Sequence, residues 1–118
     1  MNVKLLKTKT FVHPCTLIQL DESGKQHTSK LRVRFNVIPR GKWDEMTNAG
    51  ADDDRLLFDV VVNSIEDKIE IEGEGELSAE QALAAIRDDL SLTGQIVDQF
   101  MEIAFGAAAK NARRSRGR

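Results

Sequence analysis

Residues 77–114 read LSAEQALAAIRDDLSLTGQIVDQFMEIAFGAAAKNARR, and this stretch decides what kind of fold the chain can make. It opens on Ser78-Ala79-Glu80-Gln81, an S-x-x-Q capping box. The Ser78 hydroxyl is placed to accept from the Gln81 backbone N–H, and the Gln81 side chain to reach back to the N–H of Ser78. The residues after the box are rich in good helix formers. Their apolar members fall at helical spacing: Ala82, Leu83, Ile86 and Leu90, then Ile96, Val97, Phe100, Ile103, Ala104 and Ala107. Between the two groups, DDLSLTG (residues 88–94) offers a second cap, Ser91 or Thr93, and a poor helix former, Gly94. The reading is two helices, 79–90 and 93–111, joined by a tight corner. Ile96, Phe100 and Ile103 make one apolar stripe on the second helix, and Val97, Met101 and Phe105 make another. A helix apolar on two sides is either deeply buried or shared with a partner. Ile96, Phe100 and Ile103 read more readily as the core that backs the hairpin, and Val97, Met101 and Phe105 as the stripe left over, for which a partner is the expectation in a chain of 118 residues; all six are candidates for partner binding.

Ahead of this stretch, residues 1–10 are polar and basic, with Val3, Leu5 and Leu6 as their only apolar points; they read as an arm or a short edge strand. Residues 11–20 lean to β-structure, with Pro14 confining the strand to an edge or starting it late. Residues 21–25, DESGK, are a turn by composition. In residues 26–38, Leu31, Val33, Phe35 and Val37 alternate with Arg32, Arg34 and Asn36, the signature of a strand with one apolar and one basic face. Together these make a β-hairpin, which needs a helix or a partner chain behind it. Trp43 and Met46 sit on a short helical segment. Asp52-Asp53-Asp54 caps a helix over residues 53–63, although Val60-Val61-Val62 pulls toward β-structure. Residues 64–76, SIEDKIEIEGEGE, read as an exposed acidic loop in which Ile65, Ile69 and Ile71 offer at most a short strand. The fold class is therefore α+β: an N-terminal hairpin on a C-terminal bundle of three to four helices. The chain reads as a single domain, 1–118, with residues 1–38 as its β-hairpin portion, 40–111 as its helical portion and 112–118 as a basic flexible tail.

Charge is unevenly distributed along this chain. Residues 1–43 carry nine Lys/Arg against two Asp/Glu, residues 44–89 three against fifteen, and residues 90–118 five against two. Such asymmetry suits a protein with distinct faces or one that stacks plus-to-minus on its own copies; a solvated acidic face accounts for it equally well. One cysteine excludes an internal disulfide framework, and two histidines do not make a His-rich metal site. No apolar run is long enough for a membrane span, and the first residues lack the apolar core of a signal peptide. The expectation is a soluble, cytosolic protein with no cofactor and no membrane partner.

The sequence offers only weak catalytic constellations. His13 and Cys15 fall on one face of a strand, where an imidazole–thiolate pair is one reading and a small buried hydrophobe the commoner one. Asp52-Asp53-Asp54 lacks the oxygen spacing of a calcium loop, Gly73-Glu74-Gly75 lacks a residue to hold phosphate, and Asp88-Asp89 are adjacent rather than opposed. No enzyme is expected. Arg113, Arg114, Arg116 and Arg118 have no aromatic residues among them, which argues against a nucleic-acid contact.

The order of features nevertheless resembles a known family. A basic strand ends in RVRFNV (32–37); WDEM (43–46) and LLFDVVV (56–62) come next; an acidic glycine loop leads into LSAE (77–80); and AAKN (108–111) closes the last helix. This resembles the small tail assembly chaperones of long-tailed bacteriophages and prophages over residues 16–114, by the order of the parts rather than by any one motif. The resemblance implies a non-enzymatic protein of the host bacterial cytoplasm. It would bind the tape measure protein and keep it soluble until tail tube protein subunits polymerise around it, and it would self-assemble into rings or spirals. A structural minor tail or tail-completion protein, and an acidic inhibitor that mimics nucleic acid, are the alternatives.

Overall fold

The structure, a computed structural model, describes residues 2–48 and 54–105. Strands β1 (Thr10–Leu20) and β2 (Gln26–Asn36) pair antiparallel from Thr10↔Asn36 to Leu20↔Gln26. Asp21 fixes the turn between them. Its carboxylate accepts from the N–H groups of Ser23 (2.9 Å) and Lys25 (3.0 Å), and Gly24 takes the positive φ of 86° that a side chain would strain. Pro14 lies inside β1, opposite Arg32, but β1 is an edge strand, where a missing N–H breaks no ladder bond. The alternation puts Cys15 and Leu17 of β1 and Leu31, Val33 and Phe35 of β2 in the core. Val37, expected to extend this series, is 46% exposed because β2 stops at Asn36. Residues 2–8 contain no helix or strand.

Helix α1 (Arg40–Asn48) comes after Pro39 and lays half-buried Trp43 and Met46 against the core. Helix α2 (Asp54–Val61) buries Leu57, Phe58 and Val61, while Leu56 faces outward. The chain then passes straight into β3 (Val62–Ile65), so the pull of the β-branched run is real, and it takes effect one residue beyond the helix. Strand β3 pairs antiparallel with β2 and completes a three-stranded sheet in the order β1-β2-β3. This corrects the expected helix at residues 62–63 and the expected exposed loop at 64–65, where only a short strand was allowed for: Val62 and Ile65 are buried in the core. Two side-chain amides secure the abrupt switch, Asn36 donating to the Val60 carbonyl (3.0 Å) and Asn63 to the Asn36 side chain (3.1 Å). The acidic glycine segment forms a small second ladder, β4 (Glu70–Ile71) with β5 (Gly75–Glu76).

Helix α3 (Ala79–Arg87) begins at the expected capping box: the Ser78 hydroxyl accepts from Gln81 N–H (3.2 Å), and the Gln81 side chain accepts from Ser78 N–H (3.0 Å). Helix α4 (Leu90–Phe105) starts earlier than expected. Its cap is Asp89, whose carboxylate accepts from Leu92 N–H at 3.0 Å, rather than Ser91 or Thr93. Thr93 is buried instead, and its hydroxyl lies within hydrogen-bonding distance of the carbonyls of Ile86 and Asp89 across the corner. Residues 106–111, expected to continue this helix, and the basic tail at 112–118 lie outside the described residues. The architecture is α+β, with the sheet on one side of α4 and α2 and α3 also packed against it.

Candidate functional site

Of the six residues expected to bind a partner, four are core. Ile96 and Val97 are fully buried, Phe100 is 3% exposed and Met101 7%. The expected second stripe is therefore corrected for Val97 and Met101. Helix α4 is apolar on two sides because it is sandwiched, with β1 against it on one side and α2 and α3 against it on others. Ile103 (43% exposed) and Phe105 (50%) do reach the surface, in the last described turn of α4. Phe100 lies within ring contact of Phe11, Phe35 and Trp43, and the Trp43 ring bridges to Phe105 at 5.1 Å. The core thus runs out to the surface through a string of aromatics. Trp43 and half-exposed Phe105 pack ring to ring where α1 meets the end of α4, an exposed aromatic pair suited to an interface anchor; Met46 is half-buried against the core and Ile103 surfaces in the same turn of α4 as Phe105.

A second feature was not visible in the sequence. Gln95 and Gln99, one turn apart on α4, each hold both backbone groups of one β1 residue. Gln99 accepts from Thr16 N–H (2.8 Å) and donates to its carbonyl (2.7 Å); Gln95 does the same for Ile18 (2.7 and 2.9 Å). Two side-chain amides stand in for a neighbouring strand and, with Pro14, occupy the outer edge of β1 from Pro14 to Ile18. An i,i+4 glutamine pair beside an apolar stripe is the only sequence signal for this, and it has many other uses.

The opposite edge of the sheet is different. Strand β3 pairs only as far as Val33, and the next residue, Arg32, is held by the Glu66 backbone and the Asp67 carboxylate. Beyond Arg32 no strand neighbours β2 on this side among the described residues. There a groove of about 830 Å³ opens between β2, the β4–β5 segment and the α3–α4 corner. Apolar residues such as Leu17, Leu31 and Leu92 line it together with charges of both signs, Glu70 and Glu72 among the acids and Lys30 and Lys68 among the bases.

Three of the candidates for chemistry have evident structural places. Cys15 is fully buried, and burial pushes its thiol up to about 12, so it stays protonated and a poor nucleophile at neutral pH. Asp89 caps a helix. Asp54 stands in the first turn of α2, while Asp52 and Asp53 lie outside the described residues. Among the described residues no three His, Cys, Asp or Glu side chains are grouped to hold a metal ion, and no helix is long and apolar enough to cross a membrane. Several acids of the block at 44–89 are paired: Asp59 with Arg87 (2.6 Å), Asp67 with Arg32 (2.7 Å), and Glu66 with Arg34 (2.7 Å). Hydrogen bonds from Arg87 hold the Asp59 carboxyl below the usual carboxylate range, and those from the Arg32 backbone and side chain do so for Asp67. Comparison with protein-family models, with curated proteins and with solved structures gives no match.

Proposed function

We propose that this protein is a non-enzymatic tail assembly chaperone that binds a tape measure protein and keeps it soluble in the host cytoplasm during tail morphogenesis. The observation that carries the reading is the Trp43–Phe105 ring pair at the surface end of α4, taken with the family resemblance in the order of the sequence features. A tape measure protein is long and helical, and its apolar stripes need cover before the tail tube encloses them. An exposed aromatic beside aliphatic side chains suits a helix laid across it. Three acids of the block, Asp59, Glu66 and Asp67, are neutralised by Arg87, Arg34 and Arg32, which favours this reading over a nucleic-acid mimic to that extent, since a mimic needs its carboxylates facing outward and unneutralised.

The test is co-expression with the tape measure protein encoded in the same genome. The expected result is a soluble complex that co-purifies, and its loss with Phe105→Asp while the variant remains folded. If the tape measure protein stays insoluble beside the wild-type chain, the proposal fails. Detection of this protein in purified virions would favour a structural tail component instead.

A further inference from the structure

The segment before β1 carries aliphatic side chains that the fold does not cover. Val3, Leu5 and Leu6 are 84%, 87% and 77% exposed, in residues 2–8 that contain no helix or strand. Lys4, Lys7 and Lys9 are interspersed with them, and no acidic residue precedes Asp21. None of these three lysines belongs to an ion pair among the described residues, whereas Arg32, Arg34 and Arg87 each have a carboxylate partner.

This arm leaves the molecule where the string of aromatics reaches the surface. Its root is tied to the end of β2, the Lys9 carbonyl accepting from Val37 N–H at 2.9 Å, and α1 starts three residues after Val37. Phe11, just inside β1, stacks on Phe100 at 6.5 Å. Trp43 meets the same Phe100 ring at 6.2 Å and Phe105 at 5.1 Å. The root of the arm and the Trp43–Phe105 pair are therefore neighbours around one side chain. Val37, 46% exposed, adds an aliphatic contact at the root.

We propose that residues 3–9 are a strap that closes over a partner helix seated on Trp43 and Phe105, and that this helix carries acidic residues beside its apolar stripe. Val3, Leu5 and Leu6 supply the apolar contact, and Lys4 and Lys7 meet the carboxylates. The surface of α1 is mixed in charge, with Lys42 exposed beside Asp44 and Glu45, so the arm sets the sign of the site. Its length fits one helix. Residues 3–8 span about 20 Å when extended, enough to cross a helix about 10–12 Å wide and too little to go round two. The strap rests on the reading that the aromatic pair receives a partner helix, and adds to it the charge of that helix and the segment that holds it.

Trp43 is the only tryptophan of the chain, so its emission reports what lies against it. The test titrates the full chain with two synthetic helical peptides that share one leucine stripe, one flanked by glutamates and the other by lysines. The glutamate-flanked peptide is expected to move the Trp43 emission to shorter wavelength and to bind about tenfold or more tighter than the other, with the difference shrinking at high salt. Leu5→Asp with Leu6→Asp is expected to weaken it by about tenfold or more at an unchanged thermal midpoint. Lys4→Glu with Lys7→Glu reverses the preference between the peptides. The proposal is overturned if neither peptide moves the emission, if the flanking charge makes no difference, or if the arm variants bind like the wild type. An arm that instead meets a second copy would give a mass that rises with concentration and falls back in Leu5→Asp/Leu6→Asp, with peptide affinity unchanged, and that result also overturns it. The two readings fail separately. A tape measure protein that does not bind the wild type, beside the expected peptide response, removes the client assignment alone. A tape measure complex as stable with the arm variants as with the wild type removes the strap alone.

Discussion

At the level of single residues, the difference between Phe100 and Phe105 carries the most information. Both belong to the apolar pattern of one helix, yet Phe100 is 3% exposed among three other aromatic rings and Phe105 is half exposed. A charge at Phe100 would be buried without a partner, at a cost of several kcal/mol against a total stability of about 5–15 kcal/mol. Phe100→Asp is therefore expected to unfold the protein, and Phe105→Asp to leave its thermal midpoint nearly unchanged; equal midpoints for the two would contradict the assignment of faces. Cys15 gives a second check at this scale. Its thiol should not react with an aromatic disulfide reagent until denaturant is added, and rapid labelling of the native chain would show the site to be open. The spacing of Val97 and Met101 placed them on a helix but not on a side of the molecule. Periodicity gives the angle between two stripes, not the number of layers waiting to cover them. The third strand and the position of α2 supply that cover, and both depend on contacts far apart in sequence.

At the level of elements, the capping box at Ser78 was fully legible, because both of its partners lie within four residues. Ser78→Ala should cost about 1 kcal/mol, measured by denaturant titration; no loss would mean that the cap is redundant. Strand β3 was only half legible. The β-branched signal at Val60-Val61-Val62 was present, but Asn36, 24 residues before Val60, helps to fix the junction. The ion pairs Asp59–Arg87 and Asp67–Arg32 tie α2 to α3 and β2 to the loop after β3. Both carboxyls titrate below their ordinary range in the fold. A depressed folded pKa means stability that is present above the unfolded carboxylate pKa and lost as pH falls through the folded one. The midpoint of urea unfolding should therefore decline below about pH 4. In Asp59→Asn that decline should be shallower, and the loss at neutral pH modest, because both pairs are largely exposed to water. An acid limb identical to that of the wild type would mean that Asp59 contributes nothing to it.

At the level of the whole molecule, the hairpin-on-helices plan arose from local patterns, while the surfaces that bear on function did not. The apolar spacing suggested that α4 was too apolar for one small core. The fold uses most of that apolarity internally and leaves Leu90 at one end, and Ile103 and Phe105 at the other, outside, with Phe105 beside Trp43. Occupation of the β1 edge by Gln95 and Gln99 and the opening beyond Arg32 arise only when elements far apart in sequence meet. The uneven charge along the chain has a partial explanation in space: part of the acidic block neutralises the basic face of β2, and part lines the groove.

Whether α1 and the end of α4 receive the client is decided by hydrogen–deuterium exchange, comparing the free protein with its complex with the tape measure protein. Residues 90–101 should exchange slowly in both states, since they are core before any client arrives. New protection should appear at residues 40–46 and 102–105, around Trp43 and Phe105. Protection confined to other surfaces, or none at those two segments in a complex that does form, would show that the client binds elsewhere and that the aromatic patch is not its site.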